Sequence, residues 1–174
     1  MARQVALLRG INVGGRQVAM ARLREVFGEL GYSDVKTYVN SGNVVFSGRK
    51  AGHRKIEDAV EAAFGWRIPI VLRTRDELAA IVAADPLGDQ ASNPSRYLVS
   101  FSGGAEPIDA TKLDDVTPGR NEAYAIVGRE AYMWLPDGVQ SSPLAKAFSD
   151  RRFGHVLTAR NWRTVGKLLA MAEE

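Results

Sequence analysis

Three short segments of the chain concentrate residue types suited to holding an anion. The first is Arg9-Gly10-Ile11-Asn12-Val13-Gly14-Gly15-Arg16, lying between an apolar run and a helical pattern. Its glycines let backbone amides approach a ligand closely, and the start of a helix offers N–H groups and a positive dipole end. Between Val13 and Ala19 no Ser, Thr, Asp or Asn is present to cap that helix. Arg9 and Arg16 add positive charge, and Asn12 adds a donor and an acceptor. The spacing fits neither the Walker A pattern nor the dinucleotide fingerprint. A tight strand-to-helix turn would use the same glycines without any ligand, so both readings stand.

The second segment is Tyr38-Val39-Asn40-Ser41-Gly42-Asn43. Alternation along an extended chain puts Lys36, Tyr38 and Asn40 on one face. Asn40, Ser41 and Asn43 supply donors and acceptors for a phosphate or sugar, and they are equally good turn formers. The third segment is Thr158-Ala159-Arg160-Asn161-Trp162-Arg163-Thr164. Here Thr158 is expected to cap the last helix, placing Arg160, Asn161 and Arg163 at its start. Positive charge there opposes the helix dipole, and a bound anion would remove the conflict. The other reading of these arginines is a solvated face, with Trp162 as a core anchor.

Other chemistry finds little footing. The 174 residues include no cysteine, which excludes disulfides, thiolate zinc sites and iron–sulfur clusters. There is no G-x-S-x-G and no H-E-x-x-H, and the two histidines, His53 and His155, fall in unrelated surroundings. Glu57, Asp58 and Glu61 lie off the apolar stripe of their helix and read as solvated charges. Asp114 and Asp115 give no metal-binding spacing, so neither a metal nor a cofactor is expected. No group stands out as a general base, which leaves catalysis open. The charge balance of 23 basic against 20 acidic residues is mildly basic, with a pI near 9.3. No apolar run approaches the roughly 18 residues needed to span a bilayer, and the first residues are too briefly apolar for a secretion signal. The cytoplasm is the expected setting.

The elements that would position these segments follow from periodicity. Gln4–Leu8, Val35–Val39, Val44–Phe46 and Arg67–Arg73 read as strands, with Pro69 suiting an edge position. Met20, Leu23, Val26, Phe27 and Leu30 recur at helical spacing, as do Ile56, Val60, Ala63 and Phe64. Leu23, Phe27 and Val60 are the expected core anchors. The order is βαββαβ, the ferredoxin-like unit. In that unit the first two strands run parallel with the third between them, so 9–16 and 40–43 should emerge at one end of the sheet. Thr74 and Glu77 form a capping box for a third helix. The pattern restarts after 85–95 with a strand at Tyr97–Phe101 and a hairpin over Gly128-Arg129. Two helical stretches follow, with the last strand reduced to Val156-Leu157 or lost. The expectation is an α+β protein of two ferredoxin-like (βαββαβ-type) halves, the second degenerate, packed as one compact unit. Its segments would be a first half at 1–84, a linker at 85–95, and a second half with a C-terminal helix at 96–174.

LLRGINVGG at 7–15, the helix start at Met20–Leu23, VKTYVNSGNVVF at 35–46 and TARNWRTVGKL at 158–168 together resemble the bacterial domain-of-unknown-function 1697 family. The resemblance implies two ferredoxin-like halves, and it implies no activity, cofactor or catalytic residue. The residues therefore frame three kinds of function. One is a module binding a phosphorylated or otherwise anionic ligand, nucleotide-like or nucleic acid. The others are an enzyme acting on a small anionic substrate and a structural or partner-binding protein. The ligand residues of the first reading are Arg9, Asn12, Gly14, Gly15, Arg16, Tyr38, Asn40, Ser41 and Asn43, with Arg160 and Asn161. Whether the last two join the same site is left open, as is the oligomeric state.

Overall fold

In the computed structural model, which describes residues 2–174, the first apolar run forms β1 (Ala2–Leu8). Helix α1 (Met20–Glu29) buries Leu23, Val26 and Phe27, and Gly31 follows it at φ +91°. Strands β2 (Ser33–Tyr38) and β3 (Asn43–Gly48) form a hairpin, followed by α2 (His53–Phe64) and β4 (Ile70–Thr74). The sheet order is β2-β3-β1-β4 with antiparallel neighbours throughout, which makes β1 and β2 parallel to each other across β3. Leu8, Leu23, Phe27, Phe46, Ile56 and Val60, each buried, anchor the core beneath it. Within it Phe46 packs against Phe27 and Tyr32, with ring centroids 5.1 and 4.7 Å apart.

Strand β4 lies at an edge, and Pro69 stands just before it, where a missing N–H removes no ladder bond. The strand starts at Ile70, later than the expected Arg67, because Arg67 turns outward to the acids of α2. Its guanidinium meets Glu57 at 2.9 Å, Asp58 at 2.5 Å and Glu61 at 3.0 Å. These carboxylates are thus gathered on one cation rather than separately solvated.

Helix α3 (Arg75–Ala84) opens with the expected capping box: Glu77 N–H donates to Thr74 Oγ1 at 3.1 Å and Thr74 N–H donates to Glu77 Oε2 at 2.8 Å. The 85–95 stretch makes specific contacts. Leu87 is buried, and the Tyr97 hydroxyl donates to Asp85 Oδ1 while accepting from Leu87 N–H. Next come β5 (Tyr97–Ser102), a 3₁₀ turn at Ala110–Leu113, and the hairpin β6 (Ala123–Val127) and β7 (Glu130–Trp134). Gly128 takes φ +60° at the hairpin turn, as its Gly-first sequence requires. Helices α4 (Pro143–Ala147) and α5 (Asp150–Phe153), β8 (Leu157–Asn161) and α6 (Trp162–Glu173) complete the chain.

The last strand is neither reduced nor lost. Strand β8 pairs over five positions with β5, giving the order β6-β7-β5-β8. Thr158 is consequently a strand residue and caps nothing. The cap of α6 is Asn161, whose Oδ1 accepts from Thr164 N–H at 2.9 Å. Two four-stranded antiparallel sheets with six helices make this a mixed α+β protein. Both sheets end on a strand with a buried arginine directly before a helix cap. Arg73 lies opposite Val5 and precedes Thr74, and Arg160 lies opposite Val99 and precedes Asn161.

The chain divides into two compact units, one of Met1–Ala79 with Lys167–Glu174 and one of Ala80–Gly166. The first boundary falls inside α3, ahead of the 85–95 stretch, and the last eight residues return to the first unit. Among the described residues, no helix is long and apolar enough to cross a membrane.

Candidate functional site

The parallel relation of β1 and β2 delivers the first two segments to one end of the first sheet. Leu8 N–H donates to Gly42 O at 2.8 Å, and Arg9 N–H donates to Pro69 O at 3.1 Å. From there residues 9–16 form a small closed loop, in which Asn12 N–H donates to Arg16 O at 2.8 Å and Arg16 N–H donates to Val13 O at 3.2 Å. Asn12 ties this loop to the facing turn. Its Nδ2 donates to Asn40 O at 2.6 Å, and its Oδ1 accepts from Val18 N–H at 2.8 Å. Across the turn, Asn43 is fully buried and donates through Nδ2 to Tyr38 O at 2.8 Å and Ser41 Oγ at 3.0 Å. The two asparagines therefore hold the loops in place with their side-chain amides.

The close approach of loop and turn depends on Gly42. An added Cβ there would lie 2.7 Å from Leu8 Cβ and 2.8 Å from Ile11 Cδ1. The outer side is open. Gly10, Gly14 and Gly15 have positive φ, and a Cβ at any of them would meet nothing within 4 Å. Arg9, Val13, Arg16, Asn40 and Ser41 are exposed around them, and Tyr38 is half-buried. Val39 sits at φ +49°, a region costly for a β-branched side chain. Helix α1 starts behind Ala19 with no side-chain cap and no acid in its first turn, as the sequence suggests.

Arg160 and Asn161 belong to the second unit and have different surroundings from those expected. Arg160 lies on β8, not at the start of a helix, and is 8% exposed, so it is no part of a solvated face. Its Nη1 donates to Thr158 Oγ1 at 2.8 Å and Ala159 O at 2.9 Å, and burial pulls the guanidinium pKa down to about 10. Asn161 is spent on the cap of α6. Trp162 stacks on Tyr97, with ring centroids 4.7 Å apart, as a core anchor would.

The sequence reading missed one polar pair. Ser102 Oγ lies 3.1 Å from His155 Nδ1 and accepts from Gly104 N–H at 3.0 Å. The pairing of β5 with β8 brings these residues together across 53 positions. Although a serine beside a histidine is the element of a nucleophilic pair, Ser102 is fully buried. The contact fastens the ends of two strands. At the opposite end of the first sheet from the loops, a cleft of about 530 Å³ is lined by Arg3, Thr74, Arg75, Asp76, Glu173 and Glu174 among others. Its mixed charges are partly self-paired, Arg75 with Asp76 at 2.7 Å. Among the described residues, no group of His, Cys, Asp and Glu could hold a metal ion.

Residues 1–132 match the model of a family described as protein of unknown function (DUF1697). The 158–168 string lies beyond the matched part. A solved structure, that of the conserved bacterial protein SP0830 from Streptococcus pneumoniae, is similar over 98% of each chain, with a TM-score of 0.74 and 24% identity. At that identity the likeness speaks for the fold. Among curated proteins there is no match.

Proposed function

The chain belongs to the DUF1697 family of proteins of unknown function, and from that premise we propose that the loop end of its first unit binds a phosphorylated or otherwise anionic ligand. Arg9 and Arg16 supply the charge, and the backbone amides of the loop supply the donors. Tyr38, Asn40 and Ser41 line the facing turn, while Asn12 and Asn43 keep both segments in position. The observation that carries this reading is the contrast between the two sides of the loop. Its inner side is closed by Asn12 and Gly42, and its outer side presents Gly14 and Gly15 with open space before them. A preformed loop binds at lower entropic cost than one that must be ordered. Strain at Val39 supports the same reading, since such residues cluster at ligand sites.

The strand orders further support two halves of ferredoxin-like type, as each sheet places its third strand beside its first and carries its fourth on the other side. One other reading has an observation in its favour: the internal satisfaction of Asn12 and Asn43 also suits a purely structural clasp. A thermal-shift screen with nucleotides, sugar phosphates and oligonucleotides separates the two. A ligand at 100 times its Kd adds about 2.7 kcal/mol. The expected result is a shift by one of these classes that Arg16→Ala removes without changing the melting temperature of the free protein. No shift from any of them overturns the proposal and leaves the clasp.

A further inference from the structure

The other end of the first sheet carries a second concentration of charge. The register of β1 with β3 puts Gly48 beside Ala2, so the residues after Gly48 lie at the opposite end of the sheet from the 9–16 loop. Arg49, Lys50, His53, Arg54 and Lys55 fall within seven consecutive positions, all exposed, with no acid among them. Several other cations of this unit are ion-paired: Arg22 with Glu25 and Glu29, Lys36 with Glu174, Arg75 with Asp76. Among the described residues, no acid forms an ion pair with Arg49, Lys50, Arg54 or Lys55. Asp58, four residues after Arg54, is the natural helical partner for it, yet Asp58 is held by Arg67 together with Glu57 and Glu61.

The segment is also held rigid. Gln4, 3% exposed, donates through Nε2 to Arg49 O at 2.9 Å and accepts at Oε1 from Ala51 N–H at 2.8 Å. Arg49 lies over the buried ring of Tyr32, 6.0 Å from its centroid. Like charges are thus held close in sequence on a fixed backbone, two of them, Arg54 and Lys55, in the first turn of α2, against both mutual repulsion and the helix dipole.

We propose that this segment binds the phosphate backbone of double-stranded nucleic acid without reading its sequence. The choice of partner follows from what accompanies the charge. A protein partner needs buried apolar or aromatic anchors, and 49–55 offers only Ala51 and Gly52 between its cations. Single-stranded binding draws on exposed aromatic platforms, and Tyr32 is covered. What remains is charge alone, the term that dominates binding to a duplex backbone. This surface is independent of the loop site.

The test is fluorescence anisotropy with a labelled 20-base-pair duplex, a single strand of the same length and polyglutamate, between 50 and 200 mM salt. Lys50→Gln/Arg54→Gln/Lys55→Gln is compared with Arg120→Gln/Arg151→Gln/Arg163→Gln, exposed arginines outside both surfaces, which removes the same net charge elsewhere. Salt-dependent duplex binding is expected, weakened about tenfold or more by the first variant, with a salt slope flatter by about 2.7. The second variant should retain most of the affinity. Should the triple variant fail to fold, Lys50→Gln and Lys55→Gln singly should each flatten the slope by about 0.9. Absence of duplex binding, equal loss in both triple variants, or equal binding of the single strand or of polyglutamate would each overturn the proposal.

Discussion

Replacing Gly42 with alanine probes the joint between the 9–16 loop and the turn that faces it. The methyl group would enter at φ +88°, 2.7 Å from Leu8 Cβ and 2.8 Å from Ile11 Cδ1. A left-handed conformation costs a non-glycine residue about 1–2 kcal/mol, and forcing an extra carbon into packed surroundings costs about 1–3 kcal/mol. The smaller entropy of the unfolded alanine chain returns about 0.4–1 kcal/mol. The net expectation is a destabilisation of about 2–4 kcal/mol. Gly15→Ala makes the control: its φ is +84°, but its Cβ would face open space. Only the conformational cost remains there, about 1 kcal/mol after the same offset. Urea unfolding followed by tryptophan fluorescence measures both, in a Trp134→Phe/Trp162→Phe background that leaves Trp66, packed against the first core, as the reporter. Equal losses in the two variants would refute the steric reasoning, because backbone strain alone would then account for Gly42.

Leu23→Ala and Phe27→Ala remove fully buried side chains from the first core, and each should cost about 2–5 kcal/mol in chemical denaturation. Losses below about 0.5 kcal/mol in both would put α1 in the wrong phase. Burial raises the pKa values of Tyr97 and Tyr132 above the ordinary tyrosine value. In the unfolded chain both ionise near pH 10, so the folded state holds more protons above that pH and its stability falls as pH rises further. Absorbance titration should find these two tyrosines ionising only with unfolding, and ionisation of all five at the ordinary value in the folded protein would contradict their burial.

The first half was legible because its helices each carry one apolar face and its central strands are short apolar runs. Leu23, Val26 and Phe27 repeat at 3–4 residues, and Val44, Val45 and Phe46 form a fully buried run. The meeting of 9–16 with 40–43 followed from strand direction alone. What the sequence concealed lay where polar residues face inward. In Leu157-Thr158-Ala159-Arg160-Asn161 an arginine is buried on the strand, so no apolar alternation marks β8. The bond from Asn12 to Asn40 spans 28 residues and that from Ser102 to His155 spans 53, distances at which spacing carries no signal. From its sequence Arg67 reads as part of a strand, because its draw, three acids on the preceding helix, is a tertiary one.

The first unit is made from the two ends of the chain, with Ala80–Gly166 inserted between them. This has a consequence for the order of events on the ribosome. At about 5–20 residues per second, the intervening stretch takes about 4–17 seconds to synthesise. Throughout that interval the first sheet has all four of its strands but lacks residues 167–174, including Leu168, Met171 and Ala172, which are buried in the finished protein. The second unit, by contrast, has all its residues before the first has its last. Early termination near Gly166 would therefore damage the unit whose synthesis began first.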